Sequence, residues 1–215
     1  MLFYFISHRP QHFATLTIHL HADNLSSQNK NNMVMQFFLL MVQLGFLKHI
    51  ELKFMIRGHT HCSIDGGHGI IKKEWRKCNV FNIEQAAQVI LESSPIAGTQ
   101  YATILRPENF FNWEFFLEKC FKKLPNILSF QEFEMDATRK GILRYRARQK
   151  DIWQETQLDK KRLQDFSSMQ NVQDALIQLK PPGISEKKQK QLYEKVRKYV
   201  PEEFQDSLCP KPINY

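Results

Sequence analysis

Two short polar stretches of the chain contain the residues best suited to catalysis. The first is LHADNLSSQNKNN (residues 20–32) and the second is RGHTHCSIDGGHG (residues 57–69). Each stretch contains one carboxylate, Asp23 in the first and Asp65 in the second. Carboxylate oxygens are ligands that suit Mg²⁺ and Mn²⁺, and two such ions about 3.5–4 Å apart stabilise both oxygens of a phosphodiester displacement. The two stretches therefore predict a divalent-metal site that acts on nucleic acid.

The neighbouring side chains have roles in such a site. Asp23 and Asp65 would bind the Mg²⁺ or Mn²⁺ ion together with His61, and His59 would serve as the general base. Lys30 would contact a phosphate group. Three amides would orient water or a carboxylate, and they are Asn24, Gln28 and Asn29.

The first stretch also has an ordinary structural interpretation. Asp and Asn are common turn residues, so Asp23 and Asn24 could form a turn after a strand. Asn31 or Asn32 could then cap the helix that follows. Residue types alone do not decide between the turn and the metal site.

The elements around the two stretches predict where they lie. TLTIHLHA and HIELKFMI alternate between apolar and polar residues, which is typical of strands, and residues 31–44 are apolar nearly all round, as in a buried helix. Strand, helix and strand make a βαβ unit, whose strands are normally parallel. Functional groups gather at the carboxyl ends of parallel strands, so both stretches should lie at one edge of the sheet. The predicted fold class is α/β.

Further elements are predicted along the rest of the chain. We expect a helix at residues 82–94 capped by Asn82, a strand at 101–106, a helix at 107–123 and a strand at 142–149. The region after Trp153 is expected to be helical and charged, with a last helix that begins near Ser185 and ends at Pro201. An α/β domain over residues 1–150 is expected to precede a basic helical region over residues 151–215.

DNLSSQNKNN followed by GHTHCSID resembles a eukaryotic family associated with transposable elements, and the later residues 179–204 resemble the C-terminal end of that family more loosely. The order of elements also resembles the C-terminal part of a ribonuclease H-like transposase or integrase core. The resemblance implies that Asp23 is the second acid and Asp65 the third. No Asp or Glu precedes Asp23, and two glycines follow Asp65. We therefore expect a truncated, domesticated or degenerate core with impaired catalysis.

Two other metal sites compete with this interpretation. GHTH resembles the last metal-binding motif of calcineurin-like metallophosphoesterases, although the other motifs of that family do not occur in the chain. A zinc site is also conceivable because four suitable ligands lie close together, and they are His59, His61, Cys62 and His68. These four are crowded within ten residues, which disfavours zinc.

Positive charge is concentrated towards the C-terminus. The chain has a net charge of +8, and from Arg139 onward 17 Lys and Arg face 10 Asp and Glu. This asymmetry favours nucleic acid as a partner, DNA more than RNA, bound through phosphate contacts. The predicted contacts are Arg144, Arg146, Arg148, Lys160 and Lys161, helped by the lysine-rich last helix. The alternative is a charged strand edge guarded against aggregation, or a binding module for nucleic acid or protein that has no catalytic activity.

Cysteine spacing and hydropathy indicate the compartment. The four cysteines are widely spaced without a CxxC pair, which fits a reducing environment. The longest apolar run, residues 33–47, is shorter than the roughly 20 residues of a membrane span. We expect an intracellular protein, nuclear rather than cytoplasmic, with no membrane partner. An exposed edge of the first strand could allow homo-oligomers to form.

Overall fold

A computed structural model describes residues 17–55, 63–94, 96, 100–161, 163 and 166–212, without the side chains of residues 63–65. The chain groups into two compact units. The first unit combines Met1–Thr60 with Glu108–Leu179, and the second combines His61–Pro107 with Lys180–Tyr215. The predicted domain boundary at residue 150 stays a prediction.

The described residues form five strands and seven α-helices. The strands are β1 Thr17–Ala22, β2 His49–Phe54, β3 Glu132–Asp136, β4 Ile142–Arg146 and β5 Gln154–Gln157. The helices are α1 Asn32–Gln43, α2 Ser63–Trp75, α3 Ile83–Glu92, α4 Trp113–Cys120, α5 Met169–Ala175, α6 Glu186–Gln191 and α7 Glu202–Leu208. None of the helices in this part of the chain has the length and hydrophobicity that a membrane span requires.

The five strands make one mixed sheet in the first unit. Its order is β1-β2-β3-β4-β5, with β1 and β2 parallel and every other neighbouring pair antiparallel. The predicted parallel pair and the α/β class are therefore confirmed. The finer assignment to a ribonuclease H-like core is not shown by this topology. Among the described strands β1 and β5 are the edges, and the predicted self-association through β1 stays a prediction.

Helix α1 covers the apolar face of this sheet. Asn31 caps it by accepting a hydrogen bond from the backbone N–H of Val34 (3.0 Å), as the sequence indicated. The helix buries seven of its twelve residues because it packs against the sheet and also against α4. The chain turns at Gly45, whose φ of 76° lies in the region that glycine adopts without strain. Glycine therefore ends α1 where the sequence predicted.

The sheet is apolar on one face and charged on the other. On β2, Ile50, Leu52 and Phe54 are buried, whereas His49, Glu51 and Lys53 alternate with them and are partly exposed. On β3 and β4 the apolar Phe133, Met135 and Leu143 are buried and Glu134, Arg144 and Arg146 are partly exposed, while Glu132 is a buried carboxylate on the charged face. Because strand side chains alternate with a period of two, the core lies on one side and a row of charges on the other.

Several predicted elements were wrong in detail. Residues 101–106 form no strand, since no strand pairs with them. The helix expected at 107–123 is limited to α4, because Asn112 caps it and Phe121 leaves it to form a β-bridge with Asp159. The segment after Trp153 begins with β5 instead of a helix. Strand β3 was not anticipated, because EFEMD has few apolar residues.

Candidate functional site

The loop after β1 is built around the carbonyl of Leu25. That oxygen accepts hydrogen bonds from the backbone N–H groups of Gln28, Asn29 and Lys30 at 2.8–3.2 Å. Asp23 Oδ1 accepts from Asn29 Nδ2 (2.7 Å) and from the Leu25 N–H (3.4 Å). The Asp23 carboxylate is exposed, but one of its oxygens already stabilises the turn that the alternative interpretation predicted.

Asn24 and Lys30 connect this loop to the ends of other elements. Asn24 Nδ2 donates to the carbonyl of Met55, which directly follows β2, and Asn24 Oδ1 accepts from Lys30 Nζ (3.1 Å). Lys30 Nζ also donates to the carbonyl of Leu128 (3.0 Å) and lies 5.4 Å from the ring centre of Phe54. Asn24 therefore ties the loop after β1 to the residue that follows β2.

Lys30 is buried, with 3% of its surface exposed. Burial lowers the pKa of its ammonium group, because the charged form loses hydration that two neutral acceptors only partly replace. A phosphate contact by Lys30 stays a prediction, but these contacts favour a structural role.

Asn32 and Gln36 extend the polar motif into α1. Asn32 Oδ1 accepts from the Leu124 N–H (2.7 Å), and Asn32 Nδ2 donates to the Leu124 carbonyl (3.2 Å). Gln36, one helical turn later, donates to the carbonyl of Lys122 (3.1 Å) and is buried. The side of α1 that bears these two amides therefore holds the extended segment that follows α4. No local pattern indicates this pairing, because the partners lie about ninety residues away.

The remaining residues of the predicted metal site are only partly described. Gln28 is exposed, and its carbonyl accepts from Asn31 Nδ2 (3.3 Å). The backbone of Asp65 lies in α2, but its side chain is outside the description, as are His59 and His61 entirely. Within the described residues no group of three or more His, Cys, Asp or Glu could hold a metal ion. The pairing of Asp23 with Asp65, with Mg²⁺ or Mn²⁺ between them, stays a prediction.

The arginines of β4 are paired with glutamates of β3. Arg144 Nη1 donates to Glu134 (2.8 Å), and Arg146 donates to Glu132 through both Nε and Nη2. Trp153 stacks over both arginines, with ring-centre distances of 5.1 Å to Arg144 and 4.4 Å to Arg146. The two arginines share one face, as predicted, but their charges are neutralised within the sheet.

Arg148 does not belong to this face. Strand β4 ends at Arg146, and the Arg148 N–H donates to Asp151 in the following turn (2.9 Å). The prediction of three arginines on one strand was therefore wrong for Arg148, because the turn ends the alternation. Of the two predicted lysines, Lys160 donates to the carbonyl of Glu118 (2.6 Å), and Lys161 is exposed.

A chain of histidines and carboxylates crosses the same face from β1 to β3. Glu51 lies between His19 (Nδ1 to Oε2, 2.9 Å) and His49 (Nε2 to Oε1, 3.7 Å), and His49 Nδ1 lies 3.0 Å from Asp136. Burial would raise the pKa of Glu51, but the hydrogen bonds from His19 and Lys53 outweigh it and lower that pKa. Hydrogen bonds from Thr138, helped by His49, lower the pKa of Asp136.

These lowered pKa values predict sensitivity to acid. The carboxylates of Glu51 and Asp136 release their protons at lower pH in the folded chain than in the unfolded chain. Their contribution to the free energy of unfolding is therefore complete above about pH 4–5 and is lost as pH falls through the folded pKa values. We expect the urea concentration at the unfolding midpoint to decrease when the pH is lowered below about 4, and Glu51→Gln to make this decrease smaller. The control is Glu203→Gln, at an exposed carboxylate. An equal flattening by both variants would contradict the assignment.

A concentration of exposed positive charge lies in the second unit. We call residues 186–199 (EKKQKQLYEKVRKY) the lysine-rich segment, and it contains six basic and two acidic residues. All five of its lysines are exposed, and they are Lys187, Lys188, Lys190, Lys195 and Lys198. The segment begins as α6, continues as the π-helical turn Leu192–Val196 and ends as the 3₁₀ turn Arg197–Tyr199.

Comparison with known proteins gives one match. A family model described as a domain of unknown function, DUF7869, matches residues 2–151. No curated protein and no solved structure matches the chain. The matched range includes β1 to β4 and ends before β5 and the lysine-rich segment. Nothing in these comparisons shows a relationship to transposases or to ribonuclease H-like enzymes.

Proposed function

The chain belongs to the DUF7869 family, and from this premise we propose a transposase-derived, nucleic-acid-associated protein whose two-carboxylate metal site is a catalytically impaired remnant. The lysine-rich segment supplies the contacts to phosphate. The observation that carries this proposal is its five exposed lysines, which contrast with the neutralised arginines of β4.

The charge of the lysine-rich segment supports a phosphate partner. Lysine ammonium groups bind nucleic acid mainly by neutralising phosphates and releasing counterions, and this requires exposed charge rather than paired charge. Within the described residues, no ion pair involves Lys187 or Lys195, and the pair between Lys190 and Glu194 is long, at 3.8 Å. Phosphate contacts position a protein on nucleic acid without reading its sequence, so we expect little sequence preference.

The polar loop after β1 supports the loss of catalysis. Asn24, Lys30 and Asn32 make hydrogen bonds that hold the first unit together. These side chains remain necessary for folding even where no reaction takes place. The motif can therefore persist in a protein that has lost its activity.

A binding experiment tests the phosphate contacts. We expect a variant with Lys187, Lys188, Lys195 and Lys198 changed to Gln to bind a labelled 20-base-pair DNA at least about tenfold more weakly at low salt. The slope of log affinity against log salt should become shallower by up to about 3–4, since each phosphate contact contributes about 0.9. Fluorescence anisotropy at several salt concentrations measures both quantities.

The control removes the same charge from the first unit. Lys48, Lys122, Lys140 and Lys150 are exposed lysines, and changing all four to Gln should leave most of the affinity intact. Equal weakening by both quadruple variants would contradict the assignment to the lysine-rich segment. A wild-type protein whose binding does not depend on salt would remove nucleic acid as the partner.

A metal-dependent nuclease is the second candidate function, and one observation favours it. Asp23 is exposed, and among the described residues only its Oδ1 accepts hydrogen bonds. Asp23 and Asp65 would hold Mg²⁺ or Mn²⁺ in that case. We expect no metal-dependent cleavage of DNA by the wild-type chain. Cleavage that requires Mg²⁺ or Mn²⁺ and disappears in Asp65→Asn would replace our proposal with this one.

A further inference from the structure

We infer that the lysine-rich segment recognises single-stranded nucleic acid in preference to duplex, with Tyr199 as the surface on which a base stacks. This inference rests on the proposed function and specifies its substrate. It depends on three observations in the second unit: an exposed aromatic ring, the hydrogen-bonded backbone that carries the ring, and the ammonium group that lies over it.

Tyr199 is exposed although the next residue is buried and hydrogen-bonded. Tyr199 has 75% of its surface exposed, whereas Val200 is buried. Val200 donates its N–H to the carbonyl of Arg197 (3.0 Å), and its own carbonyl accepts from Gln205 Nε2 (2.9 Å). The ring therefore projects into solvent from a hydrogen-bonded turn.

Arg197 anchors the other side of this turn to α7. Its Nη1 donates to the carbonyls of Gln205 (3.0 Å) and Cys209 (2.8 Å), and its Nη2 donates to Asp206 (2.7 Å). A cation at the last carbonyls of a helix is favoured by the helix dipole. The guanidinium of Arg197 is thus used in contacts to α7 and Cys209, and these contacts hold the backbone two residues before Tyr199. Because this backbone is already ordered, less conformational entropy is lost when nucleic acid binds.

A positive charge lies over the ring. Lys198 Nζ is 4.9 Å from the ring centre of Tyr199, so a base would stack on the opposite face, and Lys195 lies four residues before Tyr199 in the segment. A base that stacks on Tyr199 would therefore bring its phosphate within reach of these ammonium groups. The ring of Phe204, in the same unit, already stacks on Phe81 with 5.4 Å between the ring centres.

This arrangement distinguishes the two forms of nucleic acid. In a single strand each base can unstack and offer a face to an aromatic ring, and such stacking tolerates any sequence. In a duplex the base faces are covered by neighbouring base pairs, so Tyr199 could add little to the lysine contacts. Duplex binding should therefore depend on the lysines alone.

The test compares labelled (dT)20 with a 20-base-pair duplex by fluorescence anisotropy, using the full chain. We expect tighter binding of (dT)20 by the wild-type protein. Tyr199→Leu should weaken (dT)20 binding by roughly 5- to 100-fold and change duplex binding less than about twofold. Tyr199→Phe should retain the affinity because it keeps the ring. (U)20 should behave as (dT)20 does, since stacking does not involve the 2′-hydroxyl.

Tyr101→Leu is the matched control, because Tyr101 is 82% exposed in the same unit and lies outside the segment. It should leave (dT)20 binding unchanged. Equal losses for (dT)20 and duplex in Tyr199→Leu, or no loss for either, would overturn this inference while leaving the proposed function intact. The absence of binding to every nucleic acid by the wild-type chain would instead refute the proposed function.

Discussion

Asn32→Ala is expected to lower the free energy of unfolding by about 2–4 kcal/mol, because it removes both hydrogen bonds to the backbone of Leu124. Leu124 is buried beside α1, so its N–H and carbonyl would each lose a partner with little access to water. Urea denaturation followed by circular dichroism measures the loss. The variant is expected to remain folded at low denaturant, with an earlier transition.

The same motif provides two matched controls for this prediction. Asn31→Ala removes the cap of α1 and should cost about 1 kcal/mol. Asn29→Ala removes only the bond to the exposed Asp23 and should cost less than about 0.5 kcal/mol. The expected order of destabilisation is therefore Asn32, Asn31 and Asn29. A larger effect at Asn29 than at Asn32 would show that the loop, rather than the segment after α4, depends on this motif.

Glu132→Ala is expected to destabilise the protein by about 2–3 kcal/mol, because it leaves the guanidinium of Arg146 without its carboxylate. Glu132 is 9% exposed, and Arg146 lies between it and Trp153. The double variant Glu132→Ala with Arg146→Ala should lose less than the sum of the two single alanine variants, since no charge is then left unpaired. Chemical denaturation of the wild type, the two single variants and the double variant measures the coupling energy between Glu132 and Arg146.

The same variants test the role of the strand arginines in binding. The affinity of the folded double variant for duplex DNA should match the wild type within about twofold, because the charge of Arg146 is already neutralised by Glu132. A loss of affinity as large as that of the quadruple lysine variant would indicate that the nucleic-acid interface lies on β4. It would also contradict our assignment of phosphate binding to the lysine-rich segment.

The hydrogen bonds of the asparagine-rich motif assign it a structural role. DNLSSQNKNN is the stretch that suggested a metal site, yet Asn24, Lys30 and Asn32 bind the backbone or one another within the first unit. In this chain the motif therefore connects β1 with the end of β2 and with the segment after α4. It says less about catalysis, which would depend on Asp23 and Asp65.

The sequence by itself determined the local features of this protein. Alternation predicted β1, β2 and β4, the apolar run predicted α1, and the predicted caps were Asn82 and either Asn31 or Asn32; the structure confirms Asn82 and Asn31. Such features depend on residues within a few positions of one another, so their pattern is readable along the chain. The parallel pairing of β1 with β2 followed from the short βαβ connection.

Only the tertiary structure decided how the polar and charged side chains are used. The phosphate contact of Lys30 stays a prediction, but its ammonium group donates to a carbonyl ninety-eight residues away and is buried, which no local pattern indicates. Arg146 could have been an exposed cation, but the register of β3 against β4 sets it opposite Glu132. Both outcomes depend on which distant segments meet, and neither residue type nor spacing encodes that. An exposed charge and a neutralised charge look alike in sequence, and the fold alone separates them.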